Sequence, residues 1–237
     1  MARSTTAIDS SMQVYVRADP YDFPYNGDLR PENTVVMVID MQRDFCSAGG
    51  YFHSMGYDVS PVMATVDPIR RVLAAARERK LHIMHTRQGR RPDLSDLPEV
   101  ARWRSQNGGA EIGSPGPMGR FMIRGEKGFQ IIDELKPERD EPVIDKAGSG
   151  AFYGTDLELL LHRYGIANMV FTGITTDVCV HSTIREATDR GFDCLLLENC
   201  CAATVASNHA AALSMIKQEG GYFGSVATSD AFVDAIN

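Results

Sequence analysis

The chain has 237 residues, of which 43% are hydrophobic, 8% aromatic and 23% charged. These values are ordinary for a globular protein, and the length suits one large domain. Its 31 acidic residues outnumber its 24 basic ones, which gives a formal net charge of −7. This balance argues against a nucleic-acid partner, because binding to phosphates needs clustered cations.

Short apolar runs alternate with helix-like segments along most of the chain. Residues 1–30, with several prolines and glycines, indicate an irregular N-terminal arm, and residues 31–237 indicate a single domain. Apolar runs without clean alternation are typical of parallel strands buried on both faces. The predicted strands are Thr34–Asp40, Leu81–Thr86, Pro142–Asp145, Asn168–Thr172, Asp193–Leu197 and Tyr222–Val226.

Helical spacing of apolar residues and signals at helix ends predict helices between these strands. Thr155 followed by Glu158 is a capping box, and Gly165 is a stop signal. The predicted helices are Val62–Arg79, Phe129–Leu135, Asp156–Tyr164, Asp177–Arg190, Ser207–Gln218 and Ser229–Ile236. The alternation predicts an α/β fold with three layers, in which a doubly wound, mainly parallel six-stranded sheet is flanked by helices.

Residues 87–128 interrupt this alternation with a long stretch rich in proline, glycine and arginine. Long insertions in compact domains usually serve as functional lids or as contacts between subunits. In doubly wound folds, ligands bind beyond the carboxyl ends of the strands. We therefore expect the site at that edge of the sheet, with this long loop over the pocket of its own chain or of a neighbour.

The signals of membrane and secreted proteins are missing. The first strand-like run, Val35–Ile39, is far shorter than the roughly 20 apolar residues of a membrane-spanning helix. The N-terminus offers no apolar segment of a signal peptide. The five cysteines are an odd number and lack C-x-x-C spacing, which argues against a disulfide framework or a zinc site. We expect a reduced, cytoplasmic protein without a membrane partner.

Three chemically compatible residues follow three predicted strands. Asp40 ends the first strand, Lys146 follows the third, and Cys179 follows the fourth at the start of a helix. A thiol, a carboxylate that accepts its proton and an ammonium that stabilises negative charge form a plausible nucleophilic site. The positive end of the helix dipole predicts a thiol pKa well below the free value of about 8.5.

Each of these residues also has an ordinary structural interpretation when it is taken alone. A single cysteine is most often a small buried hydrophobic residue. Asp40 alone fits a helix cap or a turn, and Lys146 alone fits a solvated surface charge. The coincidence of all three at strand ends, with glycine and threonines before Cys179, favours the catalytic interpretation. Cys46 lacks a helix-start signal, so we interpret it as a packing residue near the pocket mouth.

Three segments resemble the isochorismatase-like cysteine hydrolases, a superfamily that includes nicotinamidases and several ureido amidohydrolases. They are VVMVIDMQRDFC (35–46), VIDKAGSGAF (143–152) and FTGITTDVCVHSTIREATDRGFDCLLLENCCAA (171–203). The resemblance implies that Asp40, Lys146 and Cys179 form a catalytic triad. It also implies a cis peptide bond at Ile174–Thr175 and an oxyanion hole formed by the backbone N–H groups of Thr175 and Cys179. Relatives commonly form tetramers, so a homo-oligomer is expected.

The sequence predicts neither a metal nor a cofactor. His82 and His85 are separated by an odd number of residues in a strand, so they face opposite sides. Nicotinamidases carry an aspartate-and-histidine metal motif after the second strand, whereas residues 85–90 here lack it. The glycines of segment 148–154 do not fit the dinucleotide fingerprint, because their spacing is one residue too long and they follow the third strand.

Within the superfamily, several segments look most like biuret hydrolase, including the arm (18–34) and residues 91–98, 102–106, 113–120 and 124–137. This resemblance implies hydrolysis of biuret to allophanate and ammonia through a cysteine thioester.

The same resemblance suggests which residues contact a ureido substrate. Phe45 is expected to form a pocket wall, and Gln218 and Glu219 to contact the distal ureido nitrogens. Biuret hydrolases tend to have glutamine at the position of Glu219. Arg87 or Arg104 is a candidate for a carbonyl contact, and the alternative for these two is a surface or interface role.

Other functions stay open on the sequence alone. The alternative substrates are triuret, ureidoacrylate and N-carbamoylsarcosine. A vinyl-ether hydrolase acting on isochorismate shares the fold but does not need the cysteine, so Cys179 argues against it. A catalytically idle binding or scaffold protein is expected to lack a member of the triad, whereas all three members are present.

Overall fold

The computed structural model describes residues 13–237, and its centre is a sheet of six parallel strands. The strands are β1 Thr34–Ile39, β2 His82–Gln88, β5 Val143–Lys146, β6 Asn168–Ile174, β7 Asp193–Ala202 and β8 Ser225–Ala227, and the hairpin strands β3 Pro115–Gly116 and β4 Gly119–Arg120 form a separate pair. The strand order β5-β2-β1-β6-β7-β8 reverses direction at β1, as in doubly wound folds. This confirms the predicted fold class.

Strand β1 shows how the sequence produces this central position. All its residues are buried, and it pairs with β2 on one side and β6 on the other. Val36 and Val38 belong to one apolar cluster, whereas Val35, Met37 and Ile39 belong to the second. Because successive side chains alternate between the faces of a strand, a continuous apolar run supplies both layers of the core.

Helices cover both faces of the sheet. The helix predicted over Val62–Arg79 is wrong as a continuous element, because it divides into two helices around Ala64 and Thr65. Pro68 lies in the first turn of the second helix, where its missing N–H is tolerated. The helices are α1 Arg43–Cys46, α2 Tyr51–Ser54, α3 Ser60–Met63, α4 Val66–Glu78, α5 Glu99–Asn107, α6 Leu157–Tyr164, α7 His181–Asp189, α8 Ala206–Gly221 and α9 Ser229–Ile236.

The predicted capping box before α6 forms only in part. The Thr155 hydroxyl accepts a hydrogen bond from the N–H of Leu157 at 3.2 Å. Glu158 does not bond back to the cap and instead pairs with Arg190 at 3.2 Å. The predicted stop is confirmed, since Gly165 adopts the left-handed conformation with φ of 70°.

The long stretch 87–128 contains helix α5 and the small hairpin of β3 and β4. The helix predicted at Phe129–Leu135 is wrong, because only a 3-10 turn at Asp133–Leu135 forms. Helix α8 runs beyond the predicted end at Gln218 to Gly221, with a kink at Gln218, Glu219 and Gly220.

The described part of the arm packs along the edge of the sheet. Asp19 exchanges two backbone hydrogen bonds with Val226 of β8, at 2.9 and 2.8 Å. Among residues 13–237, no helix is both long and apolar enough to cross a membrane.

Candidate active site

The carboxyl ends of β1 and β5 bring two charged side chains together in the interior. Asp40 directly follows β1, and Lys146 is the last residue of β5. Both side chains are almost fully buried, and Lys146 Nζ lies 2.8 Å from Asp40 Oδ2. A buried charge is tolerated only with a partner of opposite sign and further hydrogen bonds. The two residues therefore form one electrostatic unit.

The backbone after β5 supplies those further bonds to Lys146. Its ammonium donates to the carbonyl oxygens of Gly148 and Ser149, at 3.0 and 2.8 Å. Burial alone would lower the pKa of Lys146, but the negative charge of the adjacent Asp40 outweighs it, and the pKa is raised. Lys146 is therefore a cation at neutral pH.

Thr86 on β2 fixes the carboxylate of Asp40. The Thr86 hydroxyl donates to Asp40 Oδ1 at 2.6 Å, and the Asp40 N–H donates to the same hydroxyl oxygen at 3.1 Å. One carboxylate oxygen is thus held by Thr86, and the other faces Lys146. Thr86 was not predicted as a site residue, although it lies on a strand that ends at the same edge of the sheet.

Cys179 lies in a turn of π-helix, Thr176–Val180, that precedes α7. The prediction of one continuous helix over Asp177–Arg190 is therefore wrong at its start. The Thr175 carbonyl oxygen accepts from the N–H groups of Val178 and Val180, at 3.2 and 3.1 Å. The N–H of Cys179, which lies between them in sequence, is not bonded to that oxygen.

The predicted low pKa of the thiol is wrong for this resting site. Burial raises the pKa of Cys179 to about 12, with Lys146 lowering it and Asp40 raising it. Removal from water disfavours the thiolate more strongly than the adjacent ammonium favours it. The resting nucleophile is a neutral thiol that still carries the proton that Asp40 is placed to accept.

The peptide bond between Ile174 and Thr175 is cis. The N–H of Thr175 has no hydrogen-bond acceptor among residues 13–237 and lines the same cavity as Cys179. Just before this bond, Gly173 has φ of 101°, and a Cβ there would lie 2.1 Å from the carbonyl oxygen of Ile39. Only glycine permits this close approach of β6 to β1.

A cavity of about 200 Å³ opens above the thiol. Cys179 and Thr175 line it, together with the polar residues Gln88 and Ser149 and the hydroxyl-bearing Tyr51. Within the described residues, no arginine or lysine lines it. The apolar and aromatic lining residues are Phe45, Tyr51, Phe52, Ile112, Met122, Ile174 and Val178.

Of the predicted substrate-binding residues, only some lie at the cavity. Phe45 lines the cavity. Arg87 instead pairs with Asp145 at 2.7 Å and lies over the ring of Phe129, 4.6 Å from its centroid. Arg87 therefore does not line the cavity of this chain.

The remaining predicted contacts lie away from the cavity. Arg104 is exposed on α5, and Gln218 and Glu219 are exposed at the kink of α8. None of the three belongs to the cavity lining of this chain.

Gln88 was not predicted as a site residue, although it lies at the centre of the site. Its Oε1 is 3.1 Å from Cys179 Sγ and 3.5 Å from Lys146 Nζ. The signal that identified Asp40 and Lys146, a polar residue at the carboxyl end of a strand, also applies to it. It was missed because β2 was predicted to end at Thr86.

The histidines of β2 take structural partners. His82 stacks on Tyr164 with ring centroids 4.8 Å apart, and buried His85 contacts Glu141 at 3.0 Å. In the part of the chain that the structure describes, no three His, Cys, Asp or Glu side chains converge on a position that could hold a metal ion.

A model of the isochorismatase domain matches residues 34–229. The chain belongs to the isochorismatase family. The ureidoacrylate amidohydrolase RutB of Acinetobacter baylyi is 30% identical over 218 residues, which cover 87% of this chain and 84% of that protein. The predicted family is thereby confirmed, and the predicted class of enzyme, a hydrolase acting on carbon–nitrogen bonds, is confirmed with it.

Solved structures support the same family. The cysteine hydrolase from Pseudomonas syringae pv. phaseolicola superposes with a TM-score of 0.75 at 25% identity, covering 88% of this chain and 94% of that one. The N-carbamoylsarcosine amidase from Thermoplasma acidophilum has a TM-score of 0.64 at 26% identity, covering 84% and 97%. The sheet and its flanking helices are therefore those of this family.

Proposed function

We propose that this amidohydrolase cleaves the terminal C–N bond of a small ureido compound through a thioester on Cys179. The observation that carries the proposal is the group formed by a buried Lys146–Asp40 ion pair, 2.8 Å long, and a neutral thiol beside it. A carboxylate fixed by an ammonium and a hydroxyl is a suitable acceptor for one thiol proton.

The first half of the reaction forms the thioester. Asp40 takes the proton of Cys179 as the sulfur attacks the substrate carbonyl carbon. The backbone N–H groups of Thr175 and Cys179 bind the resulting oxyanion, and one such donor typically contributes about 2.7–4 kcal/mol. Asp40 then gives the proton to the departing nitrogen, which leaves as ammonia. Lys146 compensates the negative charge throughout.

The second half regenerates the enzyme. A water molecule attacks the thioester carbon, and Asp40 accepts its proton. The C–S bond breaks, and the sulfur recovers a proton as the acid is released. For biuret, the overall reaction consumes one water and yields allophanate and ammonium, so atoms and charge balance.

The cavity lining favours biuret over substrates that carry a carboxylate. Ureidoacrylate and N-carbamoylsarcosine are anions, and a buried carboxylate needs a cation or several hydrogen bonds. The lining formed by the described residues contains no arginine or lysine, and Lys146 is already paired with Asp40. Biuret is small and carries no charge, so it needs no cation in a cavity of about 200 Å³, and its N–H and carbonyl groups can pair with the polar lining residues Gln88, Ser149 and Thr175.

Ureidoacrylate is the second candidate, because it is the substrate in the name of a relative that covers 87% of this chain. An assay of ammonia release should compare biuret, triuret, ureidoacrylate, N-carbamoylsarcosine and nicotinamide. We expect the highest kcat/KM for biuret. A clear preference for ureidoacrylate would support the second candidate, and no release from any of them would refute the proposal.

The thioester route has its own test. Cys179→Ser should lose turnover and still bind the substrate, because the hydroxyl is a much weaker nucleophile of similar shape. Cys194→Ala is the matched control, since Cys194 is buried at the start of β7, the opposite end of the sheet. Full activity of the serine variant would contradict the assignment of the nucleophile.

A further inference from the structure

We propose that Gln88 is a substrate-contacting residue that recognises an N–H group on the attacked carbonyl and thereby frees the thiol for Asp40. The proposal rests on the proposed function and adds a requirement to it. The substrate must carry a hydrogen-bond donor next to the scissile carbon, as ureido and primary amide compounds do and as esters do not.

The backbone of Gln88 is held rigidly. It lies opposite Lys146 in the parallel pairing of β2 with β5. The side chain of Gln42 bonds to both backbone groups of Gln88. The Gln88 N–H donates to Gln42 Oε1 at 2.6 Å, and the Gln88 carbonyl oxygen accepts from Gln42 Nε2 at 3.1 Å. Gln42 Nε2 also donates to the carbonyl oxygen of Phe129 at 3.0 Å. The carboxamide therefore extends from a fixed support.

The carboxamide oxygen of Gln88 contacts two of the catalytic groups. Gln88 Oε1 accepts from Cys179 Sγ at 3.1 Å and lies 3.5 Å from Lys146 Nζ. The thiol thus has two acceptors within reach, the Gln88 amide oxygen and the carboxylate of Asp40. The amide oxygen competes with Asp40 for the thiol hydrogen and is too weakly basic to remove it. For attack, the S–H bond must turn to Asp40, which is close enough to affect the thiol directly.

The other end of the carboxamide is free. Gln88 lines the cavity, and its Nε2 donates to no atom of the described chain. A ureido compound presents an N–H donor beside a carbonyl acceptor in one plane. It can therefore give its N–H to Gln88 Oε1 and accept from Gln88 Nε2 at the same time, as two amides do when they pair.

This pairing couples binding to activation. When the substrate N–H occupies Gln88 Oε1, the thiol loses its acceptor there and turns to the carboxylate of Asp40. The proton then passes from sulfur to a carboxylate oxygen as the C–S bond forms. A compound without the N–H does not displace the thiol from Gln88 Oε1. It also leaves the Gln88 carboxamide without its full set of hydrogen bonds, and both effects disfavour its reaction.

The test compares turnover with simple thiol reactivity in Gln88→Met, which has a similar shape and no amide. We expect kcat/KM for biuret to fall about 10- to 100-fold, as for the loss of matched polar contacts. Alkylation of Cys179 by N-ethylmaleimide, a reagent without an N–H, should not slow. Gln106→Met is the matched control, since Gln106 is exposed on α5, and it should leave both rates unchanged.

A second variant tests whether the group at position 88 affects the loss of the Cys179 proton. Gln88→Glu keeps an acceptor oxygen but adds a negative charge beside the thiol, so the pH of half-maximal turnover should move upward. Equal loss of turnover and alkylation in Gln88→Met, or unchanged biuret turnover, would overturn the proposal. An unaltered enzyme that is inactive on every ureido compound would instead refute the proposed function, which is a distinct result.

Discussion

Asp44 is a buried carboxylate that joins the loop after β1 to a wall of the cavity. Its side chain accepts the N–H of Met122 at 2.9 Å, and its own N–H donates to the carbonyl oxygen of Gly128 at 2.8 Å. Met122 lines the cavity, as does Phe45, the next residue after Asp44. Burial raises the pKa of Asp44 from 3.8 to about 6, although backbone hydrogen bonds from Met122 and Tyr51 lower it.

The raised pKa of Asp44 makes the folded protein less stable as the pH rises. Between about pH 4 and pH 6, the folded protein holds a proton on Asp44 that the unfolded chain has lost, so the free energy of unfolding decreases as the pH rises. Above that window the difference is constant. A pKa change from 3.8 to about 6 corresponds to about 3 kcal/mol of stability lost at neutral pH.

Asp44→Asn should remove this pH dependence. The asparagine keeps an oxygen for the N–H of Met122 and cannot ionise, so the variant should gain up to about 3 kcal/mol relative to the unaltered protein between pH 4 and pH 8. Urea unfolding of both proteins across this range measures the difference directly, and all other titrating groups cancel. A difference in stability that does not change with pH would refute the reasoning.

Two further predictions concern the nucleophile and the backbone that carries it. Because the pKa of Cys179 is raised to about 12, its alkylation rate should rise about tenfold per pH unit from pH 7 to pH 10, and a plateau below pH 8 in a mass-spectrometric assay would contradict this. Gly173→Ala should destabilise the fold by more than about 3 kcal/mol, because its Cβ would lie 2.1 Å from the Ile39 oxygen. Gly165→Ala, with φ of 70° and open space around it, should cost only about 1–2 kcal/mol, and equal melting temperatures for the two variants would contradict this account.

The residues at strand ends could be predicted because a general rule places them. Parallel strands present their carboxyl ends at one edge, so Asp40, Lys146 and Cys179 could be grouped from the sequence alone. Gln88 could not be grouped with them, because Arg87 and Gln88 look like loop residues. They join β2 only through pairing with Asp145 and Lys146, which are distant in sequence.

Properties that depend on burial were harder to predict. The position of Cys179 at a helix start indicated a low thiol pKa, but the surrounding protein decides how much water the sulfur loses. Helix α5 was not predicted, for a related reason. Only Ser105 is buried along it, so its sequence carries no apolar stripe.

The pairing of Asp19 with Val226 has a consequence for how the protein meets other chains. An open outer strand offers unsatisfied amide and carbonyl groups on which a foreign strand can grow. Because Asp19 already occupies the backbone groups of Val226 at the middle of β8, this short edge strand is blocked there against edge-to-edge pairing with another sheet. Asp19 thus protects part of this edge from aggregation, although it lies outside the catalytic chemistry.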